Sequence, residues 1–242
     1  MRADQLVEEL ECELRAVGNE ERAVRAKAYL KSDLDFLGVA AQPLRAVART
    51  FLADHSEIDR DALLRLVQAL WQRPVFDLKA VAVALLERRS NVLASSDVEL
   101  VEYLLRRSHT WALVDWLCTK VAAPVVEREL EMTTAVLKRW SRDEDFWIRR
   151  ASMLAQLPAL RAGAGDFELF ASFASGMVGE KEFFIRKAIG WVLRDLSKKR
   201  PNLAFDFLLD HVNEVSGLTL REGSKYLSEE QRETLTLARR SP

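Results

Sequence analysis

Cysteine is nearly missing from this chain. Cys12 and Cys118 are the only two in 242 residues, too few for a disulfide framework or a Cys-based zinc site, so a reducing, cytoplasmic setting is expected. Glycine and proline are scarce, nine and six, and never gather into a linker, so one domain over residues 1–242 is expected. An excess of charge is also absent: the net charge of −1 gives no global argument for nucleic acid. The three histidines, His55, His109 and His211, lack metal-ligand spacing, and no metal or cofactor is expected. There is no P-loop, no GxGxxG and no Ser/His/Asp arrangement. No apolar run approaches the ~20 residues that cross a bilayer, and MRADQLVEELECEL lacks the apolar core of a signal peptide, so no membrane association is expected.

What remains is helical. Alternating strand-like runs are absent, while period-3.6 patterning is nearly continuous through ALLRLVQALW, LKAVAVALLERR, VELVEYLL, LVDWLCTKVAAPVV, TTAVLKRW, RRASMLAQL, FELFASFASGMV, RKAIGWVLRDL and LAFDFLLDHV. Ser96-Asp97 and Gly165-Asp166 read as helix starts; Gly38, Pro158 with Gly163 and Gly165, and Lys198-Lys199-Arg200-Pro201 read as stops. At this length a solenoid is the economical architecture, because each repeat packs only on its neighbours. The expected fold is all-α: an α-solenoid of HEAT-like helical repeats with a concave basic groove.

A column of charges carries the repeat. Arg45, Lys79, Asp115, Arg150, Lys187 and Glu222 are separated by 34, 36, 35, 37 and 35 residues, each followed by a small residue except at Trp116. Unpaired charges are costly to bury, which predicts that this column lines a surface. Four residues before it stand Val75, Trp111, Phe146, Phe183 and Leu218, whose default role is packing repeat on repeat. Asp115 interrupts a run of cations suited to phosphates, and so asks for a chemical explanation.

Trp111 and Asp115 lie one helical turn apart on one face; Lys187 and Trp191 repeat that spacing two repeats later. Indole faces attract positive charge, a carboxylate stabilises it, and Arg150 can hold a phosphate by its planar fork. The pattern alone leaves alternatives open. Trp111 and Trp191 can be repeat packing, as Trp71, Trp116 and Trp140 are expected to be. Asp115 can pair structurally with Arg150 or Lys79, and Tyr29 can be an ordinary packing residue.

In order and separation, these stretches resemble the AlkD-type family of DNA glycosylases, HEAT-like proteins that remove alkylated bases. The resemblance rests on YLKSDLDFLGV, LWQRPVFDLKAVAVALLE, SHTWALVDWL, FWIRRASMLAQL and FFIRKAIGWVLRDLSKKRP. It departs at Asp77, where many members carry Glu, and at Ala112-Leu113, where members often have a more polar stretch. It implies a catalytic carboxylate at Asp115, aromatic walls at Trp111 and Trp191, Tyr29 in the same cluster, and a backbone-binding cation at Arg150 or Arg149, with the repeat favouring Arg150. Arg45, Lys79 and Lys187 complete the expected DNA track.

The chemistry suits this residue set. A purine alkylated at N3 or N7 is already cationic and leaves without a general acid. Positive charge then develops on the deoxyribose, as in glycoside hydrolysis, where carboxylates serve. A monofunctional glycosylase that acts on duplex DNA as a monomer is the expectation, and the resemblance implies that it acts without base flipping, which periodicity alone leaves open. The competing one is a non-catalytic HEAT-like scaffold that binds DNA structures or proteins.

Overall fold

The computed structural model describes residues 3–240. Its contacts gather into two compact units, Met1–Val125 and Val126–Pro242. Both are built from short helices, and among the described residues the extended backbone pairs once, in a parallel bridge between Asp35 and Val75.

The first unit contains α1 (Ala3–Ala16), α2 (Glu20–Leu30), α3 (Ala41–Asp54), α4 (Arg60–Trp71), α5 (Phe76–Arg88), α6 (Val98–Arg106) and α7 (Trp111–Trp116). Helix α5 is its axis. Every residue from Asp77 to Leu86 is buried, as expected of a helix that is apolar all round, and α3 and α4 pack against it. Trp71 closes α4 inside this core and donates its indole N–H to the Leu104 carbonyl at 3.1 Å.

Helix α2 is the exception, since none of its residues is buried. It is held at its ends. Asn19 accepts from the Arg22 N–H at 2.9 Å, and Lys31 terminates the helix with φ of 49°. The stop expected at Gly38 therefore falls at Lys31. Gly38 serves a close crossing instead. With φ of 74° it passes so near Asn19 that a Cβ would stand 2.1 Å from the Asn19 carbonyl oxygen. Asp77, in the first turn of α5, fixes this crossing by accepting from the N–H groups of Leu37 at 2.6 Å and Val39 at 2.9 Å. Burial pushes the Asp77 pKa up, and those N–H groups oppose it.

Beyond α7 the helix widens into a π-helical turn over Leu117–Ala122 before α8 (Ala123–Arg128), which runs into the second unit. Pro124 accounts for this. It has no N–H, and in a regular helix its ring would strike the Lys120 carbonyl. Widening relieves the clash, and the Ala123 N–H reaches back five residues to Cys118. Cys118, within the apolar run around Leu117, is fully buried and packs as a small hydrophobe.

The second unit continues with α9 (Leu130–Trp140), α10 (Phe146–Leu154), α11 (Leu157–Arg161), α12 (Phe167–Ser175), α13 (Phe183–Ser197), α14 (Pro201–Asp210), α15 (Gly217–Gly223) and α16 (Glu229–Arg240). Asp166 caps α12 by accepting from the Leu169 N–H at 3.0 Å. Pro158 is not a stop: it sits in the first turn of α11, where a missing N–H costs nothing. Helix α13 is the central element, packed on α10, α11, α14 and α15. Gly190 lets α15 approach closely, since a Cβ there would meet the Glu222 Cβ at 2.8 Å.

Candidate functional site

The candidate site of the first unit is built where α7 begins. His109 takes φ of 55° and Thr110 an extended conformation, so the chain turns sharply into α7 with Trp111 as its first residue. Trp111 and Asp115, one turn apart, are both partly exposed. Tyr29, 73% exposed at the end of α2, sets its ring edge-on to Trp111 with 5.9 Å between centroids. The following loop is tied down by Asp33, 3.6 Å from the His109 ring, and by Asp35, 3.5 Å from the Lys27 ammonium. Thr119, in the π turn, donates its hydroxyl to the Asp115 carbonyl at 2.7 Å.

The charged column, expected to line a surface throughout, divides. Arg45 is exposed, lies over the Trp116 ring at 5.0 Å and comes within 3.5 Å of Glu87. Lys79 is only 4% exposed. Its ammonium donates to the Trp71 carbonyl at 2.8 Å and the Arg107 carbonyl at 3.2 Å, at the C-terminal ends of α4 and α6, and sits over the Trp71 ring. Helix C-termini present unpaired carbonyls and partial negative charge, which makes this buried cation tolerable. Burial, aided by the Arg107 charge, still lowers its pKa to about 8. Lys79 is thus clamped inside the first unit, which corrects the expected exposure of the column at this position.

Arg150 in the second unit likewise departs from the exposure expected of the column. It is 1% exposed, donates to the Phe184 carbonyl and lies 5.7 Å from the Phe184 ring centroid. Its neighbour Arg149 is engaged too, gripping the Glu180 carboxylate at 2.9 and 2.8 Å and the carbonyls of Asp143 and Glu144. Lys187, by contrast, is exposed, with its ammonium 5.6 Å from the Phe183 ring centroid. Trp191 is partly exposed and donates its indole N–H to Asp195 at 3.0 Å. Glu222, the last of the column, bonds Arg194.

The residues four positions before the column also differ from expectation. Val75, Trp111, Phe146 and Leu218 are only partly buried, and Phe183 is 52% exposed. They occupy the cap or first turn of α5, α7, α10, α15 and α13, where a side chain stands clear of the packed middle of its helix. Trp71 and Trp140 are core as expected; Trp116 is not. It is partly exposed between Arg45 and Glu87, donating its N–H to Glu87 at 2.8 Å. Glu87 and Asp195 are residues that the repeat pattern did not single out. For Asp195 a signal existed: Trp191-x-x-x-Asp195 copies the spacing of Trp111-x-x-x-Asp115.

The described residues form an all-α fold of helical repeats. The family model for DNA alkylation repair enzymes matches residues 10–227, and the chain belongs to that family. Among solved structures it is similar to one described as a predicted DNA alkylation repair enzyme from Enterococcus faecalis. The two are 27% identical over 88% of this chain and 97% of that one, with a TM-score of 0.79. AlkD2 from Streptococcus mutans shares the fold at 14% identity and a TM-score of 0.58, over 99% of this chain and 98% of its own. So does the alkylpurine DNA glycosylase AlkC from Pseudomonas fluorescens, solved with DNA containing an abasic site analogue, at 18% identity and a TM-score of 0.53, over 96% of this chain and 66% of its own. Among the curated proteins none matches this sequence.

Proposed function

We propose that this protein is a monofunctional DNA glycosylase that removes cationic N3- or N7-alkylated purines from duplex DNA. One observation carries the reading: Trp111 and Asp115 stand one turn apart and partly exposed, with Tyr29 edge-on to the indole, in a chain of the alkylation repair family. The alkylated base departs with its bonding electrons, neutralising its own charge, so no protonated side chain is required. Asp115 faces the deoxyribose as positive charge develops there and stabilises the oxocarbenium-like transition state, a fixed-charge effect of about 3–4 kcal/mol in comparable sites. It also orients the water that attacks the sugar. Trp111 and Tyr29 offer aromatic faces to that cation and to the lesion, and Trp191 offers an aromatic face to DNA.

Arg45 and Lys187, both exposed, contact backbone phosphates and give sequence-independent, salt-sensitive affinity. Lys79 and Arg150 support the fold instead. The protein acts as a monomer in the cytoplasm, and the damaged base is released without being drawn into an enclosing pocket. The decisive experiment incubates the protein with duplex DNA carrying 7-methylguanine. Release of free base above the spontaneous rate is expected; release at the background rate would reject the glycosylase reading. A single product, with no strand cleavage and no adduct trapped by borohydride, is expected of a monofunctional enzyme.

A further inference from the structure

The motif Trp-x-x-x-Asp occurs twice, and the second copy sits in a different environment from the first. Asp195 is 3% exposed. Its Oδ2 accepts the Trp191 indole N–H at 3.0 Å and the Arg161 guanidinium at 2.6–2.8 Å, while its Oδ1 takes the Lys198 ammonium at 3.1 Å and lies 3.5 Å from Arg194. Burial by itself would raise the Asp195 pKa, but the bonds from Lys198 and Arg161 outweigh it and hold the carboxyl below the ordinary carboxylate range. Asp195 is therefore ionised at neutral pH and fully occupied, with none of the openness that a group facing substrate needs.

Trp191, one turn away, is partly exposed. An indole N–H has one hydrogen to give, and a carboxylate fixed from the other side fixes the direction in which it is given. The ring plane is set with it. Arg161 arrives from α11 and Lys198 from the end of α13, so Asp195 is held from two elements and cannot follow the indole if it swings.

We infer that Asp195 is a positioning residue for the proposed reaction, holding the Trp191 indole in the orientation it presents to DNA. This rests on the reading of the protein as a glycosylase with Trp191 as an aromatic contact to its DNA. The carboxylate acts through the indole and touches no substrate.

The test is a cycle of Asp195→Leu, Asp195→Asn, Trp191→Phe and the Asp195→Leu/Trp191→Phe double variant, assayed by single-turnover release of 7-methylguanine and by DNA affinity. Asparagine keeps an acceptor toward the indole and turns its amide toward Lys198 and Arg194, which can move into solvent. It should hold the rate within about threefold, whereas leucine, which leaves the indole N–H unmet, should lower it about tenfold with DNA affinity unchanged. In the Trp191→Phe background the leucine substitution should cost nothing further. Additive losses would show that Asp195 acts independently of Trp191 and would overturn the proposal, as would an Asp195→Leu enzyme at the wild-type rate.

A second readout does not depend on activity. With 5-fluorotryptophan incorporated, the Trp191 resonance, assigned by its loss in Trp191→Phe, should shift or broaden in Asp195→Leu and stay in place in Asp195→Asn. A Trp191 resonance unmoved in Asp195→Leu would overturn the positioning role. If the wild-type protein releases no base, the glycosylase reading falls, and the fluorine spectra alone decide whether Asp195 orients the indole.

Discussion

The two Trp-x-x-x-Asp segments are the same at the level of spacing and different at the level of solvent. In α7 the carboxylate is partly exposed at the end of a helix that has just turned in from the loop, with a π turn beginning two residues later. In α13 it lies buried in the last turn of a long helix, inside a cage of three cations. A carboxylate whose oxygens are held by fixed cations, as at Asp195, can only hold something in place. Spacing puts an indole and a carboxylate on one face; burial and the surrounding groups decide how open each carboxylate is to solvent.

That contrast can be broken most sharply at the two aspartates. Asp115→Asn is expected to lower single-turnover base release by about 10²–10³-fold, with DNA affinity kept or slightly raised because a negative charge has gone. Asp195→Asn should change it by no more than about threefold. Equal losses at the two positions would erase the distinction.

A second contrast separates the buried from the exposed cations of the column. Lys79→Met should destabilise the first unit by about 3 kcal/mol, read from urea unfolding, because two helix-terminal carbonyls lose a charged donor inside the core. Arg150→Met should do the same to the second unit. Lys187→Ala should leave the unfolding midpoint in place but weaken DNA binding and flatten the slope of log K against log salt by about one phosphate contact. A Lys79→Met protein of native stability with a flattened salt slope would return Lys79 to the DNA track.

The smallest effect concerns pH. His55 shares a 2.8 Å hydrogen bond with Glu9, and Glu57 lies 3.7 Å away; the Glu9 bond raises the His55 pKa against a weaker opposing effect of burial. A folded pKa above the unfolded one means that the stabilisation is fully present below about pH 6.5 and is lost as the pH rises through the folded value. The unfolding midpoint should therefore drop across that interval in the wild-type protein, and a His55→Gln variant should show a smaller drop.

The helical class, the repeat period and the place of Trp111 and Asp115 on one helical face could be read from the chain, because periodicity is a property of local spacing. The Asp166 cap and the burial of Cys118, Trp71 and Trp140 followed from the same local logic. Pro158 misled, since a proline reads alike at the end of one helix and in the first turn of the next. Trp116 misled for a related reason: its apolar neighbours in sequence say nothing of Arg45 and Glu87, which reach it from α3 and α5.

By itself, then, the sequence determined an all-α repeat protein, its family and the placing of Trp111 and Asp115 one turn apart on a helix. Only the tertiary structure decided which charges are spent inside. Lys79, Arg150 and Asp195 carry the same formal charge as Arg45, Lys187 and Asp115, yet helix-terminal carbonyls claim Lys79, the Phe184 carbonyl claims Arg150, and Arg161, Arg194 and Lys198 claim Asp195. A charge can be buried only where such partners converge, and that convergence is fixed by packing between segments far apart in the chain.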